Sequence, residues 1–358
     1  MKYMQIKPTD SLFFGTGKPF NAGADSWTDS SFLPNPSVIW GALFSVLYRE
    51  GEIDIVDGKV SEDERKKLKI KNIYLYIEEN KVLKFLVPTP LDVYIGKHNN
   101  YISELQKVNF ISNYPLDYIS MIDKDDIEIA ENSLIEIGSL FKSYQKHIVP
   151  SIYQFDKIFK ADYKIGIKIN KDKKTAQENH LYRIDLTQFE KNSGFLVEYE
   201  IDEEKSFNPS GVLKRGVLKL GGEGKSAKYE DIKANRILRE LDKYRKKAKD
   251  KIEKEKFFKL YFKTPALLKS DWKPNEIKGL KLLSANVGKY IPIGGFDMEK
   301  NKPKAMNKFI PAGSVFVYKI EDKSINIRET IENEIKFDES YKGFGLFEIL
   351  SVKEKIYE

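Results

Sequence analysis

The chain has 358 residues, 41% of them hydrophobic and 13% aromatic, so it is long enough for one large domain or two ordinary ones. It contains no cysteine, which excludes disulfides, thiol nucleophiles and thiolate metal sites. Lys and Arg number 61 against 54 Asp and Glu, and a net charge of +7 permits a polyanionic partner without requiring one. No apolar run approaches the roughly 20 residues of a membrane span and no secretory signal is visible, so we predict a soluble cytoplasmic protein with no membrane partner.

The first half of the sequence predicts a strand, a helix and a strand hairpin, in that order. Pro36 suits the first turn of the helix, and Asn35 suits its N-cap. The loop before the helix is long and carries five aromatic side chains, and loops of this length are often functional. The predicted elements are a strand over residues 3–7, the long loop over 8–35, the helix over 36–48, and strands over 70–77 and 81–87.

The second half predicts a looser copy of the same order, after a region that is mostly β. The stretch 231–256 differs, because its apolar residues recur at helical spacing among many charged ones, which predicts an amphipathic helix. Its basic side chains could follow a phosphate backbone or face solvent, and both interpretations stay open. The other predicted elements are β structure over 163–201 and 212–220, strands over 257–263, 281–292 and 309–320, a helix over 325–335 and a strand over 344–352.

This order of elements predicts an α+β fold of two ferredoxin-like (RRM-like, βαββαβ) units with long loop and hairpin insertions. We place an N-terminal ferredoxin-like domain at residues 1–150. A C-terminal ferredoxin-like domain at residues 151–358 carries the β-hairpin, a glycine loop and the charged helical insertion. No internal repeat is visible in the sequence, so the duplication is inferred from the order of elements alone.

The glycine-rich stretches and the histidines of the sequence match no catalytic or cofactor motif. The stretch 219–226 ends like a phosphate-binding Walker A loop, but Lys219 stands where that motif needs its first glycine. The glycine pairs at 15–17 and 343–345 lack the third glycine of a dinucleotide-binding loop. No zinc motif joins the three histidines, which are His98, His147 and His180. We therefore predict no metal, no cofactor and no enzyme activity.

The same glycine-rich stretch can bind RNA without catalysis. Backbone that lacks Cβ atoms can approach a phosphate closely and point several N–H groups at it. Cationic and hydroxyl side chains follow the glycines, and two more cations precede them. The alternative interpretation is a β-turn whose lysines face water. The residues that carry the prediction are Gly221, Gly222, Gly224, Lys225, Ser226, Lys214 and Arg215.

Two further groups of residues predict contacts with RNA or a partner. In the long N-terminal loop, flexible glycines and a lysine lie beside aromatic rings that could stack unpaired bases or plug the core under the loop. In the central β region, a histidine, a tyrosine and an arginine lie close together in sequence. The first group is Phe14, Gly15, Gly17, Lys18 and Gly23, and the second is His180, Tyr182 and Arg183.

Taken in order, these segments resemble the RAMP proteins, and among them subunit three of the Cmr complex, a type III-B CRISPR effector. The resemblance begins with Pro8-Thr9-Asp10-Ser11-Leu12-Phe13-Phe14-Gly15-Thr16-Gly17-Lys18-Pro19-Phe20-Asn21-Ala22-Gly23, and its blocks run from residue 8 to residue 345, over nearly the whole chain. Residues 231–256 and much of 95–160 match no part of that pattern. The other matching blocks are the Pro-rich helix entry at 32–43, the central hairpin at 165–183, the glycine loop at 220–225, and short blocks at 294–296, 303–304, 310–315 and 343–345.

The resemblance implies a non-catalytic subunit of an RNA-guided antiviral complex. Relatives hold the 5′ handle of the crRNA and dock the large polymerase-like subunit and a backbone RAMP subunit, so target RNA is contacted only indirectly. Target cleavage belongs to the neighbouring subunits. The resemblance further implies that Lys18, Gly222 and Lys225 lie at RNA or partner surfaces. We add Lys304 from the matching block at 303–304.

Two alternatives to this function stay open. The first is a RAMP-family endoribonuclease that processes precursor crRNA, since some RAMP proteins are such enzymes and often use histidine. This chain has no histidine in its N-terminal helix region, which counts against that alternative. The second is a protein–protein scaffold without RNA contact.

Overall fold

The computed structural model of the protein describes residues 2–15, 27–28, 30–108, 114–146, 151–170, 175–202, 213–233, 235–270, 272–297, 301–335 and 337–352. The strands of the first half are β1 Lys2–Pro8, β2 Trp27–Thr28, β3 Leu68–Glu79, β4 Val82–Pro88, β5 Val93–Gly96, β6 Asn100–Ile102, β7 Glu104–Lys107, β8 Tyr118–Met121, β9 Ile127–Ile129, β10 Ser133–Glu136, β11 Ile152–Gln154 and β12 Phe159–Ile169. Those that follow are β13 Ala176–Phe189, β14 Ser193–Ile201, β15 Arg215–Lys219, β16 Ser226–Asp231, β17 Phe257–Phe262, β18 Leu280–Asn286, β19 Ile291–Ile293, β20 Phe296–Asp297, β21 Lys302–Pro303, β22 Asn307–Phe309, β23 Val315–Ile320 and β24 Phe347–Ser351.

The described helices are α1 Pro36–Arg49, α2 Glu62–Lys66, α3 Ile137–Lys146, α4 Asn235–Glu255 and α5 Ile327–Ile335, with short 3₁₀ turns at Phe155–Lys157 and Ser340–Lys342. Helices α1, α4 and α5 confirm the three that were predicted from sequence periodicity. Within the described residues, no helix is long and apolar enough to cross a membrane. The helices and strands together give the mixed α and β structure that the sequence predicts. The sheets are mostly antiparallel.

Helix α1 forms where its apolar residues share one face. Ile39 and Leu43, one turn apart, are completely buried, and Trp40 donates a hydrogen bond from Nε1 to the carbonyl oxygen of Leu68 at 3.0 Å. Pro36 begins the helix as predicted, because its missing N–H is one that a first turn leaves unbonded anyway. Asn35 has the extended backbone of an N-cap residue, but its side chain makes no capping hydrogen bond.

The chain divides into two compact units, and each unit combines three stretches of sequence. The boundary predicted near residue 150 is a division along the chain, whereas these units are defined by packing in space. The first unit contains Met1–Val82, Phe155–Ile232 and Pro292–Met306, and the second contains Leu83–Gln154, Lys233–Ile291 and Asn307–Glu358.

The first unit is built on five antiparallel strands in the order β3-β14-β1-β16-β15. Its N-terminal strand β1 therefore lies between two strands that come almost 200 residues or more later, with Ile6 opposite Phe195 and Tyr229. The sequence predicts that the hairpin strands β3 and β4 both belong to the same unit as β1 and α1. In the structure, β14 lies between β1 and β3. All but the first residue of β4 belongs to the second unit. Smaller sheets in the orders β12-β13-β2 and β20-β21 also belong to this unit.

The second unit contains a four-stranded antiparallel sheet in the order β18-β23-β17-β24, with α5 between β23 and β24 in the chain. Smaller groups of strands are β11-β10-β4, β6-β5-β9 and β7-β8. Strands β17 and β24 are buried on both faces, which explains their nearly continuous apolar sequences. The centre of this core is formed by Phe258, Leu260, Phe262, Phe316, Tyr318, Ile331 and Phe347.

Helix α4 is fastened to the second unit by a buried group of charges. Glu348 on β24 is 1% exposed and accepts hydrogen bonds from Arg245 of α4 at 2.6 Å and 3.1 Å, and from Lys263 at 2.8 Å. Burial alone would raise the pKa of Glu348, but the two cations hold it well below its ordinary value. The apolar face of α4, represented by Leu241 and Ile252, is also buried, so this face packs on the protein and only the opposite face remains for solvent or a partner.

Candidate nucleic-acid interface

The glycine loop connects the two strands of the hairpin β15–β16. Its ends are joined by hydrogen bonds from the Leu220 amide to the Lys225 carbonyl at 3.0 Å and from the Lys225 amide to the Gly222 carbonyl at 3.3 Å. Within the loop, Gly221, Glu223 and Gly224 have φ angles of 77°, 57° and 66°. The left-handed conformation is therefore used three times in four residues, which turns the backbone sharply and explains the run of glycines.

The loop is anchored to the N-terminal segment through Phe13. The Gly222 amide donates to the Phe13 carbonyl oxygen at 2.9 Å, so this N–H is not available to a ligand. A Cβ at Gly221 would overlap the same carbonyl, and one at Gly222 would lie 2.7 Å from Cδ1 of the Phe13 ring. The closest backbone approach thus occurs at Gly221, where the φ angle also excludes most other residues. The amides of Gly221, Glu223 and Gly224 make no hydrogen bond to the described part of the chain.

Polar side chains continue this contact on both sides of the loop. Thr9 donates from its amide to the Ser226 carbonyl at 3.2 Å, and the two hydroxyl oxygens are 2.9 Å apart. Lys225 pairs with Asp10 at 2.9 Å, and this hydrogen bond holds the pKa of the Asp10 carboxyl below its ordinary value. Glu223 lies 3.5 Å from Lys164 of β12. Both lysines at the loop are therefore already engaged by carboxylates.

The N-terminal segment also reaches the ribbon formed by β12 and β13. Leu12 and Thr187 exchange two backbone hydrogen bonds of 2.8 Å, and the Ser11 hydroxyl donates to Asp162 at 2.7 Å. The structure thus brings together three segments that are far apart in sequence: the segment at 9–15, the ribbon and the glycine loop. We call this arrangement the three-segment junction.

The aromatic residue predicted at the N-terminal loop is part of the core. Phe14 is 2% exposed, and its amide and carbonyl are bonded to Ser30 and Ser31, so its ring plugs the core and presents no face for a base. Gly15 forms a bridge with Ser30. The other predicted residues of this loop, which are Gly17, Lys18 and Gly23, lie outside the described residues.

On the ribbon, the predicted residues contact their own neighbours. Tyr182 lies across the opposite strand, where its ring occupies the space above Gly166. Arg183 pairs with Asp185 at 2.7 Å, and its guanidinium group lies 4.7 Å from the centre of the Tyr163 ring. His180 belongs to strand β13.

Several cations on or near the hairpin form no ion pair with the described residues. Lys214 and Arg215 are exposed and form no ion pair with the described residues. Sequence reasoning missed Lys7 and Lys219, which are exposed on the same sheet; the alternation of Arg215, Val217 and Lys219 is a signal that would have placed the latter on an open face. Lys304 follows β21, and its amide donates to the Gly295 carbonyl at 2.9 Å.

The described residues form no candidate metal centre. They contain no cluster of three His, Asp or Glu side chains that could hold a metal ion. The acidic residues at the junction, Asp10 and Glu223, are each paired with a lysine. The arrangement therefore offers backbone donors and cationic side chains, which suit the binding of an anion.

Comparisons with known proteins agree on one family. The family model described as CRISPR-associated protein (Cas_Cmr3) matches residues 4–352. The CRISPR system CMR subunit Cmr3 of Saccharolobus solfataricus is 25% identical over 342 residues, which cover 91% of this chain and 90% of the relative.

Two solved structures share the fold. A chain of the cryo-EM structure of the type III-B Cmr-beta complex bound to cognate target RNA is 21% identical, with a TM-score of 0.52 over 95% of this chain and 92% of that one. A chain of the same type of complex with cognate target RNA and AMPPnP is 19% identical, with the same TM-score and coverage. The resemblance seen in the sequence is thus confirmed: the chain belongs to the Cmr3 family, the RAMP-related subunit of the type III-B CRISPR Cmr complex.

Proposed function

We propose that this chain is the non-catalytic subunit that binds the 5′ handle of the crRNA and docks the large polymerase-like subunit beside it. The observation that carries the proposal is the three-segment junction, where the Phe13 carbonyl holds Gly222 and leaves the amides of Gly221, Glu223 and Gly224 without a partner among the described residues. Adjacent amides on a left-handed turn form a concavity that suits phosphate oxygens. An irregular RNA segment can be held there by shape without base pairing.

The ribbon supports the part of the proposal that concerns protein partners. Along β12, four large apolar side chains alternate on one face and are 49–58% exposed. The nearest cation on this face, Arg183, is neutralised by Asp185. An apolar strip of this kind, with its charge balanced, is typical of a protein–protein contact. We therefore assign the docking of a partner subunit to Tyr163, Ile165, Ile167 and Ile169.

We further propose that each unit contains a ferredoxin-like sheet. In the first unit, the strand that comes first in the chain, β1, lies between β14 and β16, and α1 connects it to β3. In the second unit, β17 lies between β23 and β24 in the same way, and α5 connects β23 to β24. This is the strand order of a ferredoxin-like unit. In the second unit the link from β17 to β18 has no helix among its described residues.

Isolation of the complex from its native host through a tagged copy of this chain tests both parts. We expect crRNA with one defined 5′ end, together with the large subunit and a backbone RAMP subunit. The double variant Ile165→Asp/Ile167→Asp should lose a protein partner without loss of folding, whereas Val56→Asp, at a residue that is 71% exposed on a different loop, should not. Recovery of the chain alone, or with RNA of random ends, would refute the proposal.

A further inference from the structure

The outer face of the sheet beside the glycine loop carries four exposed cations that form no ion pair with the described residues. Lys7 on β1 lies directly opposite Lys228 on β16, and Lys228 lies opposite Val217 on β15. Because side chains of a strand alternate between faces, Arg215 and Lys219 share the face of Val217. All four cations are exposed and form no ion pair with the described residues.

This face is open because α1 packs on the other side of the hairpin. Leu218, Ala227 and Tyr229 point to the opposite face and are buried, with exposures of 3%, 0% and 4%. Arg49, the last residue of α1, donates to the Val217 carbonyl at 3.3 Å, while the Val217 side chain is 52% exposed. The cations therefore stand on a packed sheet that fixes their positions.

The pairing of Lys7 with Lys228 has a cost for the protein alone. Like charges directly opposite each other on adjacent strands destabilise a sheet, and here two more cations occupy diagonal positions around Lys228. Glu230 is the only acidic side chain on this face of β16, and it lies directly opposite Arg215, so the unbalanced charge is centred on Lys7, Lys228 and Lys219. A bound anion would relieve the repulsion between these cations. Residues two apart on a strand lie about 6.8 Å from each other, which is comparable to the distance between neighbouring phosphates of RNA.

We propose that this face binds the phosphate backbone of single-stranded RNA, and that it supplies the electrostatic attraction which the engaged lysine Lys225 does not. Lysine is depleted in protein–protein interfaces, and long lysine side chains without a fixed acceptor fit a repeating polyanion better than a set of carboxylates. The inference deepens the proposed function and rests on it for the identity of the RNA. It adds Lys7, Lys219 and Lys228 to the binding residues.

The test uses the full chain and two RNAs of equal length, one with the handle sequence and one with that sequence scrambled. Lys7→Gln/Lys228→Gln should weaken binding of both RNAs about tenfold and reduce the slope of log K against log salt by about 1.4, since each phosphate contact to a single strand contributes about 0.7. The matched control Lys59→Gln/Lys66→Gln, at two exposed lysines outside this sheet, should leave affinity and slope unchanged.

Unchanged affinity and slope in the Lys7/Lys228 variant would overturn the inference. So would unchanged RNA binding with loss of a partner subunit from the complex, because the face would then bind protein. The proposed function has a separate readout, which is the preference of the wild-type chain for the handle over the scrambled RNA. If that preference is missing while the variant still weakens both RNAs, the handle proposal fails and this face remains a phosphate site.

Discussion

Lys225 Nζ lies 2.9 Å from Oδ2 of Asp10, a residue 215 positions earlier in the chain. The lysine expected to attract RNA is therefore engaged within the protein, and its side chain is only 18% exposed. This pairing fastens the N-terminal segment to the glycine loop. It also places a negative charge beside a surface that we propose binds phosphate.

The first prediction follows from the sign of that charge. Asp10→Asn should raise affinity for handle RNA about threefold, because it removes an anion and releases Lys225, while the free energy of unfolding falls by less than about 1 kcal/mol. Lys225→Glu should weaken binding, since two carboxylates then face each other. Filter binding and thermal unfolding measure the two effects. Weaker RNA binding by Asp10→Asn in a fully folded protein would show that the pair acts only as a structural clamp.

The second prediction concerns which glycine of the loop is indispensable. Gly221→Ala combines a left-handed φ with overlap of the Phe13 carbonyl, so it should cost at least about 2 kcal/mol and release the N-terminal segment. Gly224→Ala shares the left-handed φ but meets open space, and it should cost only about 1 kcal/mol. Urea unfolding measures both. Gly58→Ala, with a φ of 72° and open space, is the matched control, and equal effects at all three positions would contradict this account.

The third prediction concerns pH. The folded-state pKa of Glu348 is depressed by Lys263 and Arg245, so its contribution to stability is present above the ordinary carboxyl pKa of 4.5 and is lost as the pH falls below it. Glu348→Gln should lower the free energy of unfolding by about 3–5 kcal/mol at pH 7, because it leaves the buried cation Lys263 uncompensated and removes the partner of Arg245. The difference from wild type should shrink as the pH is lowered from 5 towards 2, roughly over the range in which a depressed carboxyl titrates.

Calorimetry across that range provides the measurement for Glu348→Gln. Glu332→Gln, at a half-exposed residue of α5, is the control and should unfold like wild type at every pH. A difference in unfolding free energy between Glu348→Gln and wild type that stays constant from pH 7 to pH 2 would contradict this account, because it would mean that the pKa of Glu348 is the same in the folded and unfolded states.

The fourth prediction separates the scaffold from a processing nuclease. Purified protein should not cut repeat RNA, with or without divalent metal, because sequence reasoning finds no nucleophile with a base and no metal cluster is present among the described residues. Gel analysis of end-labelled repeat RNA checks this. Cleavage at one repeat position that is abolished by His180→Ala would instead support the endoribonuclease alternative.

Local patterns predicted much of the fold, and distant pairings account for what they missed. Helices α1, α4 and α5 and strands β1, β17 and β24 follow from spacing and apolar runs, which are properties of short stretches. The insertion of β14 between β1 and β3 depends on contacts across more than 100 residues, and no short stretch records them.

The same distinction applies to the candidate site. Glycine spacing predicted the loop at 221–226, but neither the Phe13–Gly222 hydrogen bond nor the Lys225–Asp10 pair is visible without the fold. Phe14 was open to two interpretations because an aromatic residue in a loop has the same sequence whether it faces a base or the core; it is buried. The basic face around Lys228 can be recognised only from the register of three strands, which the structure supplies and the sequence does not.

Site-specific photo-crosslinking in the assembled complex tests the central claim most directly. Complexes are prepared with crRNA that carries a single 4-thiouridine at successive positions, and crosslinked peptides of this chain are identified. We predict crosslinks from nucleotides of the 5′ handle to peptides that contain the glycine loop at 220–225 or strands β1, β15 and β16. Crosslinks only from the 3′ part of the guide, or none to this chain from any handle position, would contradict the account.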